Sequence, residues 1–234
     1  MHIGILQTDS VLDRFQPAFG DYPDMFMALL AGDDERRPRF STYVARDMEY
    51  PAADTCDAYL ITGSRHSVYD DEPWIGPLVE FVAAAMASRR RIVGICFGHQ
   101  LIAHYFGGRT APAHVGWGVG VHTSELIERE PWMDSTHPEI GLLSSHKDQV
   151  VDLPDGARLF ARSSFCPNAG YVIDDQVLTL QGHPEFSKPY AEALMRTRQE
   201  QLGERTFTAG IESLGDDTHE SVVARWILNF IEQS

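Results

Sequence analysis

The stretch best suited to chemistry is a cysteine set between two glycines, Gly94-Ile95-Cys96-Phe97-Gly98. The apolar residues from Ile92 to Ile95 predict a short buried strand, and a helical pattern opens from Gly98. A nucleophile on such a strand-to-helix corner needs small neighbours, because the chain turns sharply and passes close to itself. Its sulfur also faces the positive end of the following helix, which favours a thiolate over a thiol. The thiolate is the attacking species in acyl transfer. The competing reading is a buried structural thiol, since free cysteine is among the most buried residue types.

A cysteine nucleophile needs a base to move its proton, and the base needs a third group to fix its orientation. The run Val177-Leu178-Thr179-Leu180-Gln181-Gly182-His183-Pro184-Glu185-Phe186 offers both at one predicted strand end. In an extended segment residues i and i+2 point the same way, so Glu185 can reach the His183 imidazole. Alone, His183 would be a capping residue and Glu185 a solvated charge. Beside Gly94-x-Cys96-x-Gly98-x-Gln100 the pair predicts a catalytic site. Active sites of open α/β sheets lie at the carboxyl ends of the strands. That rule brings in a third exit, Thr62-Gly63-Ser64.

The elements that must carry these exits follow from periodicity. Strands are predicted at 2–7, 40–46 and 58–62, and helices at 21–31, 73–88 and 98–106, with a charged turn at 33–39. This β-α-β alternation implies a mostly parallel sheet covered on both faces. From about Gly116 the pattern changes. Short strands at 118–126, 158–161, 170–173 and 176–180 suggest antiparallel additions, the last two joined by a two-residue turn at Asp174-Asp175. Helices at 188–203 and 218–231 close the chain, with a polar, glycine-punctuated loop expected at 203–217. No linker, repeat or low-complexity tract interrupts the 234 residues, so one domain is expected.

Composition narrows the class. Nineteen basic against 34 acidic residues give a net charge of −15, which disfavours nucleic acid and anionic membranes as partners. No run approaches the roughly 18 apolar residues of a membrane-spanning helix. The opening Met1-His2-Ile3-Gly4-Ile5-Leu6 has a strand's character, not a signal peptide's. Cys56, Cys96 and Cys166 are odd in number and irregular in spacing, which fits a reducing, cytoplasmic setting better than a disulfide framework. With no C-x-x-C, H-E-x-x-H or glycine-rich phosphate loop, neither a metal nor a cofactor is expected.

Gly94-Ile95-Cys96-Phe97-Gly98-His99-Gln100, followed by Gly182-His183-Pro184-Glu185, resembles the signature of the class I glutamine amidotransferases. The resemblance covers most of the chain. It implies a flavodoxin-like three-layer α/β/α fold, with a mostly parallel central sheet and antiparallel additions. It also implies hydrolysis of a γ-glutamyl amide through a thioester on Cys96. His183 would be base and then acid, and Glu185 would orient it. The segment from Leu60 to Val68 resembles the family's oxyanion loop, with Gly63, Ser64 and Phe97 as the donors. Here Ser64 and Arg65 stand where a second glycine and often a proline are usual. Gln100 matches a position that helps hold glutamine. Ser144-Ser145-His146-Lys147-Asp148 is similar to the S-H-G-D segment of GMP synthetase amidotransferases, which implies substrate contacts at Ser145, His146 and Lys147, with Lys147 replacing glycine.

Three functions follow from the resemblance. The chain could hydrolyse glutamine and pass ammonia to a synthetase, which would be a separate chain. It could be a stand-alone γ-glutamyl peptidase, to which the wording around Gln181–Phe186 and Gly63–Ile75 is similar. Or it could be a catalytically silent binding module on the same scaffold.

Overall fold

A computed structural model describes residues 1–31, 37–134 and 137–233. The first half of the chain contains β1 (His2–Gln7), α1 (Gln16–Phe19), α2 (Tyr22–Leu29), β2 (Arg39–Val44), β3 (Ala58–Ile61), α3 (Ile75–Ala87), β4 (Arg91–Ile95), α4 (Phe97–Tyr105) and β5 (Arg109–Pro112). The second half contains β6 (Gly118–Leu126), β7 (Glu139–His146), β8 (Asp148–Asp152), β9 (Ala157–Arg162), β10 (Gly170–Ile173), β11 (Val177–Leu180), α5 (Lys188–Thr197), α6 (Gln199–Ser213) and α7 (Glu220–Glu232).

Nine strands form one sheet in the order β2-β1-β3-β4-β11-β10-β9-β6-β7. The first five run parallel, and the rest pair antiparallel. All residues of β3 and β11 are buried, as are all but the first of β4. Unbroken apolar burial is what a parallel strand covered on both faces requires. One face packs Ile3, Ile5, Val93, Ile95 and Leu178 under α2 and α7. The other packs Leu6, Tyr59, Ile61 and Ile92 under α3 and α4. The result is the three-layer, flavodoxin-like arrangement.

Several expectations need correction. The strand at 176–180 belongs to the parallel core on its β4 side and is antiparallel only toward β10. Strands β7 and β8, on either side of Lys147, were not anticipated. The turn between β10 and β11 has three residues, with Asp174 at φ 49°, a conformation that aspartate tolerates better than most. The segment 203–217 is helical through Ser213, broken by Gly203 at φ 73°. Its Phe207, Ile211 and Leu214 recur at helical spacing and pack with Val119, Met195 and Leu202. Residues 32–36 of the charged turn at 33–39 lie outside the described residues. No helix among the described residues is long and apolar enough to cross a membrane.

Two antiparallel details bear on the site. The segment after β11 makes an isolated bridge to β7, with the His183 N–H donating to the Leu143 carbonyl at 2.8 Å. Strands β5 and β8 form a small second sheet beside α4.

The glycines of the corner are needed for close packing. A Cβ on Gly94 would lie 2.8 Å from the backbone of Gly98, and one on Gly98 would lie 2.8 Å from the Ile61 carbonyl and Cβ. Gly98→Ala should therefore destabilise the fold by about 1–3 kcal/mol, the usual cost of overpacking. Urea denaturation followed by circular dichroism measures it; unchanged stability would show that α4 does not press on β3.

Candidate active site

Strands β1, β3, β4 and β11 lie in the parallel part of the sheet, so their carboxyl ends emerge together. From β4 comes Cys96, at φ 51° and ψ −95°. Few non-glycine residues adopt a positive φ, and such strain persists only where surrounding structure holds it. Here the Cys96 N–H donates to the Leu180 carbonyl at 2.8 Å, and the Cys96 carbonyl accepts from the Gln100 N–H at 3.0 Å. Cys96 is the N-cap of α4, so the helix begins at the nucleophile candidate. Its side chain is 4% exposed.

His183 and Glu185 follow β11. The backbone there is a bridge followed by a turn, not the extended segment expected, yet the two side chains meet: His183 Nδ1 lies 2.7 Å from Glu185 Oε1. The imidazole stacks on Phe186, with centroids 3.9 Å apart and planes 12° apart. Phe186 in turn packs against Tyr22 and Tyr190. The ring is thus gripped between a carboxylate and an aromatic face. Burial works against a charged His183, but the Glu185 carboxylate and then Cys96 outweigh it, so its pKa is raised to about 10.

Gly63, just past β3, completes the convergence. A Cβ at Gly63 would lie 2.8 Å from His183 Cε1 and 3.6 Å from Cys96 Cβ. Only a residue without a side chain fits there. The turn is latched to the end of β1. Asp9, 2% exposed, accepts from the Arg65 N–H at 2.9 Å and from Arg65 Nε at 2.7 Å. Thr8 Oγ1 donates to the Gly63 carbonyl at 2.9 Å. The backbone N–H groups of Ser64 and Phe97 donate to no protein acceptor among the described residues. They are free to face a developing oxyanion.

A narrow cleft contains Cys96, Ser64, Gln100, Ser145, His146 and Lys147, so all four residues expected at the substrate's amino-acid end line it with the sulfur. Their states differ. Gln100 Nε2 is committed to the Asp148 carbonyl at 2.8 Å and to Gln181 Oε1 at 3.0 Å. His146 is buried and its Nδ1 lies 3.1 Å from the Asp148 carbonyl. Burial, then the nearby His122, push its pKa down to about 3, so it is neutral. Ser145 Oγ accepts from Arg198 at 2.7 Å, and Lys147 is exposed.

Three residues at the site carried a sequence signal that was not used. Gln181 Nε2 lies 3.5 Å from the Cys96 sulfur, and Gln181 stands beside His183 in the same strand exit. Asp9 follows β1, a fourth carboxyl end of the parallel sheet. Asp148 is buried and takes the Ser67 hydroxyl at 2.5 Å. The remaining cysteines fit a structural role: burial pushes Cys166 up to about 12 and raises Cys56 as well.

The histidines set a pH dependence. His183 has its pKa raised from 6.5 to about 10, so its contribution to stability is full below about 6.5 and is lost as pH rises through 10. His99 and His146 have theirs lowered from 6.5 to about 3 by burial, so their contribution is present above 6.5 and is lost as pH falls toward 3. Melting temperature should decline on both limbs. His183→Ala should flatten the alkaline limb and His99→Gln the acid one; a variant with an unchanged profile would refute the corresponding shift.

Comparison with known proteins agrees with this geometry. The family model for glutamine amidotransferase class-I matches residues 39–198. A glutamine amidotransferase-like protein of Schizosaccharomyces pombe is 31% identical over 219 residues, 88% of this chain and 87% of that one. Gamma-glutamyl peptidase 4 of Arabidopsis thaliana is 31% identical over 175 residues, 73% of this chain and 70% of that one. A glutamine amidotransferase structure from Thermotoga maritima superposes with a TM-score of 0.76 at 16% identity over the full length of both chains, a likeness of fold. A family match over residues 39–198, together with a relative 31% identical over 88% of this chain, establishes that the chain belongs to the class I glutamine amidotransferases.

Proposed function

We propose that this chain hydrolyses a γ-glutamyl amide bond through a thioester on Cys96, with glutamine or a γ-glutamyl peptide as substrate. The observation that carries the proposal is the convergence at Gly63, where the His183 ring and Cys96 lie against one backbone position and Glu185 holds the ring at 2.7 Å.

The chemistry is derived from that convergence. The Cys96 proton passes to His183, which with its pKa raised to about 10 holds it at neutral pH, and the sulfur then attacks the γ-carbonyl carbon as a thiolate. The carbonyl oxygen becomes an oxyanion held by the Ser64 and Phe97 N–H groups, each such donor being worth roughly 3 kcal/mol. The C–N bond then breaks, and the His183 proton goes to the departing nitrogen. Water, deprotonated by the same ring, attacks the thioester, and the sulfur leaves with the proton returned. Glu185 stabilises the imidazolium throughout, consistent with the raised proton affinity of His183. Free, buried thiols at Cys56 and Cys166 suit a reducing, cytoplasmic setting.

Relatives of the chain include gamma-glutamyl peptidases and glutamine-hydrolysing GMP synthases, so substrates must be compared directly. Purified protein is incubated with glutamine and with γ-glutamyl peptides, and glutamate release is measured. Cys96→Ala should abolish turnover while the circular dichroism spectrum stays native. His183→Ala should lower kcat by roughly 10²–10⁴-fold, and Glu185→Gln by less, because orientation is the smaller effect. Full activity in Cys96→Ala would overturn the mechanism. Activity on glutamine only after addition of a synthetase would assign the chain to ammonia delivery.

A further inference from the structure

The cleft at Cys96 adjoins a wider one, and the two share Arg65, Trp117, Lys147 and Arg198. Three cations on one wall are unexpected in a chain with a net charge of −15. The one carboxylate lining the wider cleft is Asp9, and it is spent. Its Oδ2 lies 2.7 Å from Arg65 Nε, and its Oδ1 lies 3.4 Å from an Arg46 nitrogen. Lys147 and Arg198 have no carboxylate partner among the described residues.

These two cations are not equivalent. Arg198 is half-buried, with one nitrogen donating to Ser145 Oγ at 2.7 Å and its guanidinium over the Trp117 ring, 5.4 Å from the centroid. An arginine held by a hydrogen bond and an aromatic face loses little freedom when it binds an anion, and its planar fork suits a carboxylate. Lys147 is exposed at the same boundary and can follow a ligand that varies in length. The remaining lining is amphipathic and includes Leu12, Tyr22, Tyr190 and Leu194.

We propose that the wider cleft is a leaving-group subsite, in which Arg198 and Lys147 hold the carboxylate of a γ-glutamyl peptide whose γ-glutamyl group sits at Cys96. The inference rests on Cys96 being the attacking residue. Size argues for this division: ammonia leaving from glutamine would need no second, wider cleft beside the one that holds Cys96. Charge argues for it as well, because the departing peptide carries an acid that the −15 surface elsewhere would repel.

Affinity can be read without turnover. Cys96→Ala protein is titrated calorimetrically with γ-glutamyl-alanyl-glycine and with its C-terminal amide. The free acid should bind about tenfold more tightly, as expected for one charge-assisted contact. Adding Lys147→Gln and Arg198→Gln should reduce that preference to under twofold. Equal affinity for the two peptides in Cys96→Ala, or no binding of either, would overturn the proposal. So would an equal weakening of both by the added substitutions, since the cations would then hold the α-carboxylate common to both ligands. Glutamate release by the intact chain is a separate measurement, so failure of the hydrolytic reading and failure of the subsite are distinguishable.

Discussion

The site depends on one backbone constraint, the turn at Cys96. A residue with a Cβ is held at positive φ, and no local preference keeps it there. It is kept by hydrogen bonds from its own N–H and carbonyl to β11 and α4, and by close backbone contact at Gly94 and Gly98. The same close contact seats α4 on β3 and brings the first turn of the helix beneath the sulfur. Loosening the corner would move the Cys96 sulfur, the Phe97 N–H and Gln100 together, because all three are carried by one rigid element.

The His183 ring is held by a different kind of force. His183 stands between the Glu185 carboxylate and the Phe186 ring, and Phe186 belongs to an aromatic cluster that includes Tyr22 of α2 and Tyr190 of α5. Electrostatics fixes the rotation of the imidazole, and packing fixes its plane. A carboxylate alone would leave the plane free, and packing alone would lower the ring's proton affinity, as burial does at His99 and His146.

Strands β1, β3 and β4 of the parallel half were legible in the sequence because they are covered on both faces and are written as nearly unbroken apolar runs. Cys96, His183 and Glu185 were legible because their types and neighbours are restrictive. The rest was written more faintly. Strand β7 contains Ser144, Ser145 and His146, and its polar end hides a run that is otherwise buried. Helix α6 has a glycine near its start and few apolar residues, so the spacing of Phe207, Ile211 and Leu214 is its only signal. Asp9, Gln181 and Arg198 reach the site from β1, β11 and the α5–α6 junction. Their meeting is a property of chain topology, which a linear reading does not contain.

The bridge between His183 and Leu143 has a consequence for the antiparallel half. Strands β11, β10, β9, β6 and β7 follow one another in the sheet, and the segment leaving β11 returns to β7. These strands therefore curl back toward one another, with Ser124, Leu142, Ala161 and Leu180 among the residues lining a small cavity there. The returning segment masks the far edge of β7 at that point, where a free edge would invite another chain. It also makes His183 the clasp of the curl. Slippage or fraying anywhere along these strands would be felt as a change in the height of the imidazole above the sulfur.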